Sequence, residues 1–209
     1  MIDQHLQLNV QVMKMVDTIA DLRVDDSIDQ VIAKEREALR TFLEFENIPQ
    51  SILRLLFHRE VMLEESLSDL EVLELFVNHP KDSAAEKYGK MLLDFYGIEY
   101  FLRTKKEPEM PHYGSITKFD YQNAKTCEQL VYKSPYFRSM SNIKLENYQK
   151  SMDEALYRVF YPISQEAIGI DGIVGKVIIH NLFLDNLRVK IKADHLNVNA
   201  EKIVRDFYV

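Results

Sequence analysis

Between residues 58 and 74 stand His58, Glu60, Glu64, Glu65, Asp69, Glu71 and Glu74, side chains whose oxygens and imidazole could ligate a metal ion. On a helix Glu60 and Glu64 lie one turn apart and His58 and Glu65 two turns apart, so each pair could face one ligand. A carboxylate-bridged centre inside a bundle needs more than this. It takes acids and histidines projecting inward from several helices, typically with a Glu-x-x-His spacing, and that spacing is absent. Glu71-x-x-Glu74 has no second acidic motif on a following helix. A solvated acidic face is the simpler reading, because charged residues are seldom buried unpaired. No metal site and no cofactor is assigned from these residues.

Two other groupings suggest catalysis and fall short. An arginine that steadies a phosphate beside a histidine that moves a proton is a ribonuclease-like pairing. Arg54 and His58 are too close in sequence for the usual spacing. Arg188 and His195 fall on an expected strand, where an odd separation sends side chains to opposite faces. The segment Gly169-Ile170-Asp171-Gly172-Ile173-Val174-Gly175-Lys176 invites comparison with a phosphate cradle. Val177 follows the lysine where a Ser or Thr would be required, and the glycines precede an expected strand instead of following one. Turn-forming glycines explain the segment with less.

The stretch 118–138 interleaves cations with aromatic rings. Lys118, Lys125, Lys133 and Arg138 alternate with Phe119, Tyr121, Tyr132, Tyr136 and Phe137. Such a surface suits a protein partner, for which Tyr and Arg are common anchors. It also suits a single strand of nucleic acid, whose phosphates want charge and whose bases want a flat face. A second cationic surface is the comb Arg188, Lys190 and Lys192, which period two places on one face of a strand, opposite Val189 and Ile191.

These side chains need elements to hold them. Leu6, Val10, Met13, Val16 and Ala20 make one stripe of a helix over about 3–23. Ser27 with Gln30, Ser68 with Glu71 and Ser83 with Glu86 have the spacing of capping boxes, and Pro49 suits a first helical turn. The pattern predicts five helices, the last ending at Tyr96 before Gly97. The segment 105–114 (KKEPEMPHYG), rich in charge and proline, reads as an exposed connector, dividing an acidic helical lobe, 1–104, from a Tyr-rich lobe, 105–209. Helices are expected again over 123–132 and 142–161, the latter stopping before Pro162. Val177-Ile178-Ile179 and the alternating Leu187-Arg188-Val189-Lys190-Ile191-Lys192 read as two strands joined by a turn at Asp185-Asn186, before a final helix over 198–207. The expected fold class is therefore α+β, mainly α: a helical bundle followed by a mixed region with a small C-terminal β-hairpin.

Charge separates the two lobes further. Residues 1–100 carry 20 acidic and 10 basic side chains, and residues 101–209 carry 13 and 16, for a net charge of −7. That balance opposes broad binding to duplex DNA and favours contacts between unlike surfaces. The single cysteine, Cys127, allows no internal disulfide, and the first residues lack the pattern of a secretory leader, so a cytoplasmic protein is expected, with no membrane-spanning run. Without a complete catalytic constellation, the expected function is a nonenzymatic interaction protein: an adaptor, inhibitor or accessory subunit whose oppositely charged lobes are the contact surfaces. The alternatives are a nucleic-acid-binding or processing protein acting through 118–138 and a metal-dependent hydrolase in the helical lobe. The expected partner is another protein, with single-stranded nucleic acid as the alternative, no membrane, and a homodimer that weakens with salt as a further arrangement.

Overall fold

A computed structural model describes residues 27–45, 47–57, 79–109, 114–166 and 169–196. The expected helices over 3–23 and 198–207, the one opened by Ser68 with Glu71, and the acidic cluster 58–74 lie outside these residues.

Helix α1 (Ser27–Phe45) buries Ile32, Leu39 and Leu43 at helical spacing. It ends because Asn47 adopts a left-handed conformation at φ 58, from which Ile48 N–H donates to Leu43 O and Asn47 N–H to Glu44 O. This Schellman arrangement satisfies two otherwise orphaned carbonyls. Pro49 then stands as the N-cap of α2 (Gln50–Leu56), one residue before the expected first-turn position. Ile52, Leu53, Leu55 and Leu56 are all buried, so this short helix is covered on nearly every side.

Helix α3 (Ala84–Thr104) begins where the Ser83/Glu86 spacing predicts, with Ser83 Oγ accepting from Glu86 N–H at 3.1 Å. The glutamate reaches back one residue further than a regular capping box, to Asp82 N–H at 2.6 Å. The helix does not stop at Tyr96. It runs through Gly97 to a left-handed cap at Lys105, whose N–H donates to Phe101 O. Gly97 is a notch rather than a terminator: the Tyr121 hydroxyl sits where a Cβ would be.

The expected helix over 123–132 is two short ones, α4 (Lys118–Asn123) and α5 (Cys127–Val131), separated by extended Ala124. Thr117 and Asp120 cap α4 reciprocally, and Thr126 caps α5. After α6 (Phe137–Met140) and a 3-10 turn (Leu145–Asn147) comes α7 (Tyr148–Glu166). It carries Pro162 inside it. Its missing N–H withdraws the helical donor of the Arg158 carbonyl, and the ring itself lies on the exposed face.

The largest departure is at the C-terminal end. The expected strands, their turn at Asp185-Asn186 and two of the three clustered glycines all lie in one helix, α8 (Ile170–His195). No strand occurs among the described residues, so the β-hairpin and the α+β class give way to a mainly α fold. The reason is position in the core. Ile173, Val174, Val177, Ile178, Leu182 and Leu184 are buried around the helix, because α8 packs against α1, α2, α3 and α7 together. A central helix is apolar on all sides and loses the stripe that would betray its period. The six-residue alternation at 187–192 is equally a helical i, i+4 pattern, with Leu187 and Ile191 on one side and Arg188 and Lys192 on another.

Helices α7 and α8 form an antiparallel hairpin across a short link ending in Gly169, whose φ is +100°. Gly175 allows the close approach: a Cβ there would lie 2.9 Å from the Ser164 backbone nitrogen. At the same end Asp171 Oδ1 accepts from Ala84 N–H at 2.9 Å, so α8 caps the start of α3. One apolar cluster draws side chains from α1 through α8, on both sides of residue 105. No described helix is long and apolar enough to cross a membrane.

Candidate interaction site

Residues 132–136 form a tight turn between α5 and α6, and its construction begins inside the protein. Val131 and Met140 are fully buried at its two ends. Ser134, also buried, donates through both its N–H and its Oγ to Val131 O, at 2.9 and 2.7 Å. Tyr136 turns inward, its ring 5.4 Å from that of Phe95, and its hydroxyl donates to the carboxylate of Asp94 on α3.

Asp94 is 4 % exposed. A carboxylate this deep needs several donors, and it receives Ser115 N–H at 2.6 Å and Ile116 N–H at 3.1 Å as well as the tyrosine. Gly114 makes room, because the Asp94 carboxylate fills the position of its missing Cβ. Burial and then the Asp94 charge hold the Tyr136 hydroxyl well above the ordinary tyrosine range, so it remains a donor. The same two causes act on Tyr121, whose ring lies 6.2 Å from Phe101. Burial pushes the Cys127 thiol up to about 11, which leaves little thiolate for redox chemistry.

The outer side of the turn differs. Tyr132 is 67 % exposed, and its ring meets the half-buried Phe137 edge to face at 5.3 Å. Lys133 and Arg138, both exposed, each directly follow one of these rings in the chain, and neither forms an ion pair with a described residue. Lys125 is exposed too, its backbone N–H donating to Gln129. Lys118 is exposed and pairs with Glu107 at 3.4 Å.

The structure thus divides the stretch 118–138. Tyr121 and Tyr136 are core residues with no face available for stacking. Tyr132 and Lys133 lie on the turn, Phe137 and Arg138 open α6 directly after it, and Phe119 is exposed on α4.

The second cationic surface changes more. On a helix Arg188 and Lys192 share a face, and Lys190 points about 200° away, at 100° per residue. Both shared-face cations are engaged by Asp29 of α1: Arg188 Nε lies 2.9 Å from one carboxylate oxygen, and the Lys192 ammonium donates to the other. The Lys192 hydrogen bond is the largest of the effects holding the Asp29 carboxyl below its usual range. These charges clamp α1 to α8 instead of forming a comb. Arg188 and His195 are two helical turns apart, not on opposite faces of a strand, but the Arg188 guanidinium is held by Asp29.

Further along this seam Arg36 pairs with Asp185 at 2.7 Å. Beside them His180 is buried, its ring 6.4 Å from Phe183, and its Nε2 has no hydrogen-bond partner. Burial and the Arg36 charge bring its pKa down to about 4, so the imidazole is neutral at pH 7. A cavity of about 60 Å³ between Arg36, Tyr88, Gln149 and Asn181 has room for water and not for a substrate. An open cleft of about 600 Å³ runs along Asp29, Arg36, Arg40 and Arg188. Its arginines already face Asp185, Glu44 and Asp29. Among the described residues no three His, Cys, Asp or Glu side chains are placed to hold a metal ion.

Asp94 and His180 were not singled out by sequence. The available signal was a charged or titratable side chain inside an apolar run, as in Leu92-Leu93-Asp94-Phe95 and Ile178-Ile179-His180. No protein-family model, curated protein or solved structure matches the chain.

Proposed function

We propose that this protein is a nonenzymatic cytoplasmic interaction module, an adaptor, inhibitor or accessory subunit, that engages a partner protein through the turn between α5 and α6. The observation that carries this reading is the exposed Tyr132 ring packed on the half-buried Phe137, with the exposed Lys133 and Arg138 next to them in the chain. Aromatic and arginine side chains supply most hot spots of protein interfaces, because they bury much area at little entropic cost and then form charged hydrogen bonds. Here they stand on a backbone already fixed by Ser134 and the Tyr136–Asp94 bond. A contact surface that is ordered in advance loses less freedom on binding.

Burial of Tyr121 and Tyr136 weighs for a protein partner over a single strand. A strand is held by successive platforms along a cationic groove, and of the five rings of the stretch two, Phe119 and Tyr132, are exposed.

The test is site-specific photo-crosslinking in native cells. A photoreactive residue replacing Tyr132 should yield a discrete protein adduct that the same residue in place of the exposed Glu146 of the 3-10 turn does not. No adduct at position 132, or the same adducts from both positions, would refute the reading.

A further inference from the structure

We propose that the turn between α5 and α6 recognises an acidic peptide segment, seating an apolar side chain against Tyr132 and Phe137 while carboxylates meet Lys133 and Arg138. This rests on the interaction function argued above and names the chemistry of the partner. Lys133 and Arg138 are exposed at the turn and Lys125 just before α5, against the exposed carboxylate of Glu128 one helical turn before Tyr132. Among the described residues none of these three cations is neutralised by an ion pair. An arginine and a lysine, each next in the chain to one ring of an aromatic pair, offer a planar fork and a point charge to carboxylates on one extended chain.

The aromatic pair contributes the apolar part. Tyr132 already packs its ring edge to face on Phe137, so the two present one continuous apolar step rather than a series of separate stacking faces. One step accommodates one or two side chains of a peptide and falls short of the repeated platforms a single strand requires. The net charge of −7 points the same way, since a long polyanion meets repulsion from the rest of the molecule whereas a short segment interacts only locally.

Fluorescence anisotropy with the full chain tests this directly. Three labelled probes of equal length are compared: a peptide alternating Glu and Leu, its Gln-for-Glu counterpart, and oligouridine. The Glu/Leu peptide should bind saturably, and the Gln peptide at least about ten-fold more weakly. Added salt should weaken the first without affecting the second. Tyr132→Ala should weaken binding about ten-fold or more, and Lys133→Glu with Arg138→Glu should abolish it. The three substituted side chains, Tyr132, Lys133 and Arg138, are all exposed, and an unchanged far-ultraviolet circular dichroism spectrum shows that the variants remain folded.

Equal affinity for the Glu and Gln peptides, saturable binding of oligouridine that displaces the peptide, or no binding of the Glu/Leu peptide would overturn the proposal. A protein adduct at position 132 without binding of the acidic peptide would reject the partner chemistry and leave the interaction function standing. Absence of both would reject both.

Discussion

Acidification from pH 7.5 to pH 5 should cost this protein about 2 kcal/mol of stability through His180 alone. Folded, the imidazole titrates at about 4, because burial and Arg36 disfavour its cation. Unfolded, it returns to its ordinary value near 6.5. The depressed folded value means that His180 opposes folding only when the unfolded chain can take the proton. The penalty is therefore absent well above pH 6.5, grows as pH falls through 6.5, and levels off below about 4. Proton linkage over that span gives about 3 kcal/mol at the limit and about 2 kcal/mol at pH 5, roughly a thirty-fold change in the unfolding constant. Urea unfolding of the wild type and of His180→Leu at pH 7.5 and pH 5 isolates this contribution. Carboxylates with lowered values, such as Glu86 and Asp29, also lose stability on acidification, but they do so equally in both proteins. The wild type should lose about 2 kcal/mol more than the variant. Parallel losses would show that His180 is not a buried neutral imidazole and would refute the packing of α1 against α8 around it.

Three further outcomes follow from the interior. Gly175→Ala should destabilise by about 1–3 kcal/mol in thermal or urea unfolding, because its methyl would press on the Ser164 backbone. Helix propensity alone would stabilise the same variant by about 1 kcal/mol, so a gain would disprove the close α7–α8 approach. Asp94→Asn turns an acceptor of three hydrogen bonds into a group with donors facing donors and should cost about 3 kcal/mol. It should also weaken crosslinking at Tyr132 and binding of the Glu/Leu peptide, since Asp94 holds the turn through Tyr136; full stability with full binding would contradict both roles. Tyr136→Phe should lose about 1.5–3 kcal/mol and leave the charge of Asp94 intact, and an undiminished unfolding midpoint would exclude the hydroxyl–carboxylate bond.

What could be read from sequence was what depends on neighbours along the chain. Ser83 and Glu86 mark the start of α3 because capping is settled within four residues. Pro49 marks the start of α2 to within one residue, because its fixed φ suits the beginning of a helix. What depends on distant neighbours was misread. Gly97 and Gly175 carry the same local signal as a helix stop or a turn, yet each is a gap into which Tyr121 or Ser164 fits from another element. The alternation at 187–192 satisfies period two over six residues, and only the position of Asp29 on α1 shows Arg188 and Lys192 to be one face of a helix. In the candidate site, the cation–aromatic composition of 118–138 was visible. Which tyrosines face inward was not, because that is set by a carboxylate 42 residues from Tyr136.

The placement of α8 bears on the order in which the protein can be made. A ribosome completes α1, α2 and α3 before it reaches the helix that covers all three. Until residues 170–195 have been synthesised, α1, α2 and α3 lack a helix that each of them packs against in the finished protein. Stable tertiary structure must therefore wait for a late segment, and the emerging chain passes through a stage with uncovered apolar helices, in which sticking to itself or capture by a chaperone competes with folding. A premature stop anywhere before Ile170 would make that stage permanent.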